Sequence, residues 1–149
     1  MAPELLQGWE SRTLRTLRPI SRVMLYLWAA PTTLVGLTAG ALTLASGGKV
    51  QVRRGAFEFY GGFSTWFLER RMVSASAMTL GHAIIGRDPR CLDVCRDHEQ
   101  AHVRQVEIWG GAFIPVYLLA SLWAWARGRH YYLDNWFEVD ARRACGDPF

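Results

Sequence analysis

Two long stretches without a charged side chain constrain the fold of this chain most. Residues 23–48 form the first, a run of 26 residues, and residues 108–126 form the second, a run of 19 residues. A helix needs about 20 mostly apolar residues to cross the hydrocarbon core of a bilayer. The first run therefore predicts a transmembrane helix over 23–48, and the second has the composition of either a membrane span or a buried helical hairpin.

The first run has features of a membrane helix that packs against other parts of a protein. Gly36 and Gly40 form a small-xxx-small pattern suited to close helix packing, and Pro31 is a candidate kink. A cleaved signal peptide is the competing interpretation, since Ala45 and Ser46 resemble a cleavage neighbourhood. The run is longer than a typical signal core and a long arm precedes it, which favours a retained helix.

Residues 1–22 predict a basic amphipathic arm that suits a membrane interface. Its arginines recur at spacings of three and four, which places them on one face of a helix: Arg12, Arg15, Arg18 and Arg22. The net charge is +4, Lys49 is the only lysine, and half of the residues are hydrophobic. This composition favours a lipid bilayer as partner, and no nucleic-acid partner is expected.

Residues 49–87 change character, because glycines divide them into short β-prone segments. We expect a small antiparallel sheet, with Gly61 and Gly62 as a turn. The predicted strands are 50–52, 56–60, 64–68, 72–79 and 82–85. Three helices should follow, over 92–109, 115–126 and about 135–144, the last with Asp134 or Asn135 as its N-cap. The predicted class is α+β.

The segment 98–102 reads His-Glu-Gln-Ala-His and predicts a metal site. Residues four apart lie on the same face of a helix, so the imidazoles of His98 and His102 can reach one ion. Glu99 projects toward the same pocket and can take a proton from a zinc-bound water. The chain has three cysteines, Cys91, Cys95 and Cys145, and an odd number does not indicate a disulfide framework.

A catalytic zinc ion usually has a third protein ligand, and the chain offers several after His102. The candidates are Glu107, His130, Asp134, Glu138 and Asp140. Glu107 lies five residues beyond His102 on the same helix and therefore points elsewhere. Glu138 is the favoured ligand, because a carboxylate on a second helix can approach from the open side and Ala141 lets that helix pack closely. His130 and Asp134 remain alternatives.

This pattern resembles the gluzincin branch of the zinc metallopeptidases, in which H-E-x-x-H is followed by a Glu ligand on a later helix. It is also similar to small bacterial membrane-associated HExxH proteins of uncharacterised function, over roughly residues 78–144. The resemblance implies zinc (Zn²⁺) as cofactor, His98, His102 and Glu138 as ligands, and Glu99 as base. One departure is Arg142, which stands where gluzincins place an Asp that orients a His, so Asp140 or Asn135 would have to serve instead.

The zinc site restricts how the second apolar run can fold. If 108–126 crossed a bilayer, His102 and Glu138 would lie roughly 30 Å apart and could not share an ion. Gly110, Gly111 and Pro115 offer a way to break the segment into a hairpin. The predicted organisation is an arm over 1–22, a transmembrane helix over 23–48, and a zincin-like domain over 49–149 with an apolar hairpin at 108–126.

Several polar side chains near the motif are candidates for roles around the metal. The segment 74–85 is the expected edge strand that pairs with an extended substrate. His82, Tyr131 and Tyr132 are candidate donors to a developing oxyanion, although a partly exposed strand His or an interfacial Tyr is the more ordinary interpretation. Asn135 and Asp140 are the candidate supports of the metal ligands.

The expected function is a membrane-associated zinc metallopeptidase at a bacterial plasma membrane, acting on a peptide or protein substrate. One alternative is a non-catalytic membrane protein that uses the same fold as a binding or scaffolding module. Another is a two-span structural membrane protein in which the motif occurs by chance.

Overall fold

The computed structural model describes residues 23–70 and 73–146, so the basic arm predicted at 1–22 lies outside the described residues. The chain is α+β, as expected. In order, the elements are α1 (Ala30–Ala45), β1 (Lys49–Arg53), β2 (Ala56–Tyr60), α2 (Gly62–Leu68), β3 (Ala77–Leu80), β4 (Ala83–Gly86), α3 (Pro89–Trp109), a 3₁₀ turn (Gly110–Ala112), α4 (Phe113–Ala126) and α5 (Trp136–Cys145).

The four strands form one sheet in the order β1-β2-β4-β3. Two-residue turns join β1 to β2 and β3 to β4, and both pairs are antiparallel. Arg54 and Gly55 form the first turn with φ of 48° and 84°, the positive values that a type I′ hairpin needs. The expectation of a purely antiparallel sheet is wrong, because β2 and β4 pair in parallel. After β2 the chain passes through α2 and β3, and it then enters β4 in the same direction as β2.

The strand predicted at 64–68 is also wrong, since these residues lie in α2. Gly61 and Gly62 have φ of 82° and 46° and lead from β2 into this helix instead of forming a hairpin turn. Ser64 is fully buried, and its hydroxyl lies 2.6 Å from Thr43 Oγ1 on α1. This contact with a distant helix overrides the β propensity of the local sequence.

Helix α1 packs along the sheet through its smallest residues. Its buried positions are Thr32, Gly36, Gly40 and Thr43. A side chain at Gly36 would collide with Leu80 and Ala83, and one at Gly40 would collide with the ring of Phe59. The close approach that the two glycines suggested is therefore directed at the sheet.

The predicted transmembrane helix over 23–48 is not confirmed. Residues 23–28 are helical, Ala29 is a turn, and α1 begins at Ala30 next to Pro31. The sheet against which α1 packs contains charged and polar strand residues, and a bilayer core does not accommodate open sheet edges. One helical stretch of the described residues, Pro89–Ala126 taken through its bend, is long and apolar enough to cross a membrane.

Helix α3 begins three residues before the predicted position and ends where expected. Asp88 caps its N-terminus by accepting a hydrogen bond from Cys91 N at 2.9 Å, and Pro89 follows in the first turn. Arg96 ties the helix to the sheet, since its guanidinium donates to both oxygens of the buried Glu58 at 2.9 and 3.1 Å. Glu99 also lies against the sheet, since its carboxylate accepts a hydrogen bond from Thr79 on β3.

The chain changes direction after α3. Gly110 has φ of 57°, and a side chain there would collide with the ring of Trp28. In a straight helix His102 and residue 117 would lie roughly 22 Å apart. Instead, the rings of Phe113 and Tyr117 have centroids 6.4 and 6.3 Å from that of His102. The start of α4 therefore lies against the motif.

Candidate metal centre

The two histidines of the motif lie one turn apart on α3 and face each other. Their rings are perpendicular, with centroids 4.7 Å apart, and the two Nε2 atoms are separated by 3.1 Å. His102 is buried and His98 is partly exposed. One side of the pair is thus enclosed by protein, and the other opens toward solvent.

Glu138 on α5 completes a triangle with these histidines. Its Oε2 lies 3.1 Å from His98 Nε2, and its Oε1 lies 3.2 Å from His102 Nε2. Ligand atoms that bind one tetrahedral zinc ion at about 2.0–2.1 Å lie roughly 3.3 Å from one another. The three side chains therefore form a group that could hold a metal ion.

Several contacts fix Glu138 in this position. Asn135 caps α5 by accepting a hydrogen bond from Phe137 N at 2.9 Å, and its side-chain amide donates to Ser121 Oγ on α4 at 2.7 Å. Tyr117 on α4 donates its hydroxyl to Glu138 Oε1 at 2.7 Å. Ala141 is fully buried one turn beyond Glu138.

Gln105 fixes the tautomer of His102. Its amide nitrogen donates to Phe137 O at 3.0 Å and to Asp140 Oδ2 at 2.8 Å, which turns its Oε1 toward His102 Nδ1, 2.8 Å away. A carbonyl oxygen can only accept, so Nδ1 carries the hydrogen. In the neutral ring, Nε2 then presents a lone pair to the centre of the triangle, as a metal ligand requires.

The charges at the triangle attract a positive partner. Burial alone would raise the pKa of Glu138, but hydrogen bonds from His102 and His98 outweigh it and hold that pKa well below its usual range. Burial would likewise lower the pKa of His102, but the hydrogen bond and charge of Glu138 raise it. When His102 is protonated its Nε2 donates to Glu138, and when it is neutral the Nε2 lone pair and the carboxylate face the same point, which a metal cation could occupy.

Glu99 is buried between α3 and strand β3. Its Oε2 accepts a hydrogen bond from Thr79 Oγ1 at 2.6 Å. Burial raises the pKa of Glu99, and the charge of His102 and the hydrogen bond from Thr79 oppose this. A carboxylate with a raised pKa, beside histidines that could bind a metal, is suited to accept and return a proton near neutral pH.

Other residues suggested by the sequence lie elsewhere. His82 is buried, and its ring contacts Thr33 Oγ1 at 3.5 Å and Glu107 Oε1 at 3.2 Å, so it ties α1 to α3. His130 and Asp134 bond within the loop before α5. Tyr131 is exposed and stacks on His130, with ring centroids 4.9 Å apart.

The supporting residues proposed from the sequence have different partners from those expected. Asp140 reaches His102 only through Gln105, and Asn135 holds α5 to α4. Tyr132 is 41% exposed, and partial burial, followed by the charge and hydrogen bonding of Glu138, raises the pKa of its hydroxyl.

Three residues near the site were not predicted from the sequence to belong to it: Thr79, Gln105 and Tyr117. Tyr117 carried one signal, being the only hydroxylated aromatic residue in the run 108–126. Gln105 was on the motif face of α3, three residues after His102, but its role depends on α5. Thr79 lies in the segment expected to form the edge strand.

No family model, curated protein or solved structure matches this chain.

Proposed function

We propose that this chain is a membrane-associated zinc metallopeptidase. The observation that carries the proposal is the triangle of His98, His102 and Glu138, with its 3.1–3.2 Å edges. Two imidazole nitrogens and one carboxylate are a ligand set that favours zinc over calcium or magnesium, which prefer oxygen ligands. Three protein ligands leave one tetrahedral position open, as in catalytic zinc sites.

The neighbouring residues have the chemistry that peptide hydrolysis needs. A zinc ion bound at the triangle would polarise the peptide carbonyl and acidify water. Glu99 would take the proton from the attacking water and pass it to the leaving amine. The hydroxyl of Thr79 holds one oxygen of Glu99 in place, and the hydroxyls of Tyr117 and Tyr132 beside Glu138 are candidate donors to the developing oxyanion.

The position of β3 favours an extended peptide as the substrate. This strand is at the edge of the sheet, next to α3. Arg87 N donates to Ser76 O, and β3 and β4 are joined by a two-residue turn, so alternate residues of β3 bond to β4. The backbone groups of Ala77 and Thr79 then face the outer edge, where an extended chain could pair with them.

The proposal is tested by incubating the full chain, in lipid or detergent, with a diverse peptide library and identifying products by mass spectrometry. We expect hydrolysis that stops when a chelator removes the metal and returns with one equivalent of zinc, but not with calcium. Stoichiometric zinc without hydrolysis of any peptide would contradict the proposal and favour a binding or scaffolding module.

A further inference from the structure

Helix α4 has its large apolar side chains on the outside. Its most exposed residues are Leu118, Leu119, Leu122, Trp123 and Trp125, each between 55% and 66% exposed. The opposite side faces α5 and holds the polar groups, since Tyr117 bonds to Glu138 and Ser121 to Asn135. A helix at the surface of a water-soluble protein has the reverse arrangement.

The exposure of this stretch argues against a core helix. The most apolar part of Pro89–Ala126 is only 17% buried, whereas a core helix would be mostly buried. Helix α1 has the same inverted polarity, because Leu34, Val35 and Leu42 are exposed while Thr32 and Thr43 are buried. Two helices of the described residues therefore present uncharged apolar faces to their surroundings.

An apolar groove runs beside the outer face of α4. Its volume is about 620 Å³, and its walls include the rings of Trp109, Trp123 and Trp136. A groove of this shape, walled by indole rings and aliphatic side chains, fits a hydrocarbon chain.

The C-terminal end of α4 has the residues of a membrane interface. Arg127 lies over the ring of Trp123, 5.2 Å from its centroid, and Arg129 follows. Exposed aromatic residues continue through the next loop, at Tyr131 and Tyr132, to Trp136 at the start of α5. Tryptophan and tyrosine beside arginine are typical of the headgroup level, where arginine attracts anionic lipid.

Helix α4 is too short to cross a bilayer. Its 14 residues span roughly 21 Å, less than the ~30 Å hydrocarbon core. The chain has turned at Gly110 before α4 begins, and charged residues follow Ala126. A helix of this length with an apolar outer face and a cationic end is suited to lie in the plane of the interface.

We propose that α4 docks in the plane of an anionic lipid bilayer, with its outer face in the acyl region, Arg127 and Arg129 at the headgroups, and an acyl chain in the groove. This extends the membrane association of the proposed function, but it does not require hydrolysis. Because Tyr117 on the same helix contacts Glu138, the metal centre would lie within about one helix diameter, ~10 Å, of the lipid.

The first test is partitioning of the full chain onto vesicles of phosphatidylcholine with phosphatidylglycerol. The double variant Leu119→Asp, Leu122→Asp should bind at least about tenfold more weakly than the wild type, because two apolar side chains lose their burial in lipid. Val94→Asp is the matched control, because Val94 is 85% exposed on α3, and it should bind like the wild type. Equal binding by all three proteins would overturn the proposal.

The second test stays informative even if the double variant does not fold. A fluorophore is attached at Leu122→Cys or at Val94→Cys, after Cys91, Cys95 and Cys145 are replaced by serine, and lipids brominated along the acyl chain serve as quenchers. We expect strong quenching at position 122 and little at 94. Equal quenching at both positions, or an Asp-sensitive dimer that forms without lipid and leaves position 122 unquenched, would overturn the proposal.

Discussion

Replacing Glu99 by Gln is expected to lower kcat/KM for peptide hydrolysis by about 10²–10⁴-fold, the usual contribution of a general base. Gln has the shape of Glu but cannot accept the proton of the attacking water. Thr79 can still donate its hydroxyl to the amide oxygen, so the side chain should stay in place. Zinc content should remain that of the wild type, because Glu99 is not one of the three ligand side chains.

The matched control for this variant is Glu107→Gln. Glu107 lies on the same helix, and its carboxylate contacts His82 instead of the metal centre. Its replacement should leave kcat/KM within a few-fold of the wild type. The role of Glu99 as base would be wrong if Glu99→Gln kept full activity with one equivalent of zinc, or if both variants lost activity equally.

Replacing Gln105 by Leu should weaken zinc binding by roughly 10–100-fold, the usual loss on removing a residue that orients a metal ligand. The variant removes the acceptor of the His102 Nδ1 hydrogen and the donor to Asp140. His102 could then rotate or take the other tautomer, which withdraws its Nε2 lone pair from the triangle. The measurement is competition for zinc against a chelator of known affinity.

Gln100 provides a matched control for Gln105 on the same helix. It is also buried, but its amide nitrogen has no hydrogen-bond partner among the described residues. Gln100→Leu should therefore leave the zinc affinity unchanged. The unfolding of the metal-free variants should be measured in parallel. A variant that keeps its stability but binds zinc more weakly has lost the orientation of His102, whereas a loosened contact between α3 and α5 would also lower the stability. Equal zinc affinity for both variants would contradict the role given to Gln105.

The features that the sequence predicted correctly are local. The spacing of His98 and His102 depends only on the helical period. The sequence offered Asp134 or Asn135 as the cap of α5, and Asn135 caps it through a contact two residues away. Glu138 was chosen because a carboxylate on a second helix can approach the histidines from the open side, and the shared ion then excluded a bilayer between Glu138 and His102. A chemical constraint thus supplied long-range information that periodicity alone does not contain.

The features that the sequence did not predict depend on contacts between distant segments. The helical conformation of 64–68 follows from the burial of Ser64 against Thr43, and the parallel pairing of β2 with β4 follows from the path of α2 and β3. The roles of Gln105 and Tyr117 exist only because α5 packs beside both helices. Residue types and spacing along one helix do not reveal such partners.

The length of an apolar run does not by itself show whether the run crosses a membrane. Both runs have the composition of membrane spans. However, α1 packs on a sheet, and the start of α4 lies against the motif. The burial pattern distinguishes these helices from core helices. Small or polar residues face the protein, and large apolar residues face outward. For α4, this pattern is the basis of the lipid contact proposed above.

The measurement that tests the central claim most directly is the zinc content of the purified full chain, determined by elemental analysis beside His98→Ala and Glu138→Ala. We predict one equivalent of zinc in the wild type and at least a tenfold lower content in each variant after equal dialysis. Glu107→Gln, whose side chain lies outside the triangle, should keep the wild-type content. A wild-type protein that binds no stoichiometric zinc, or variants that retain it fully, would contradict the account.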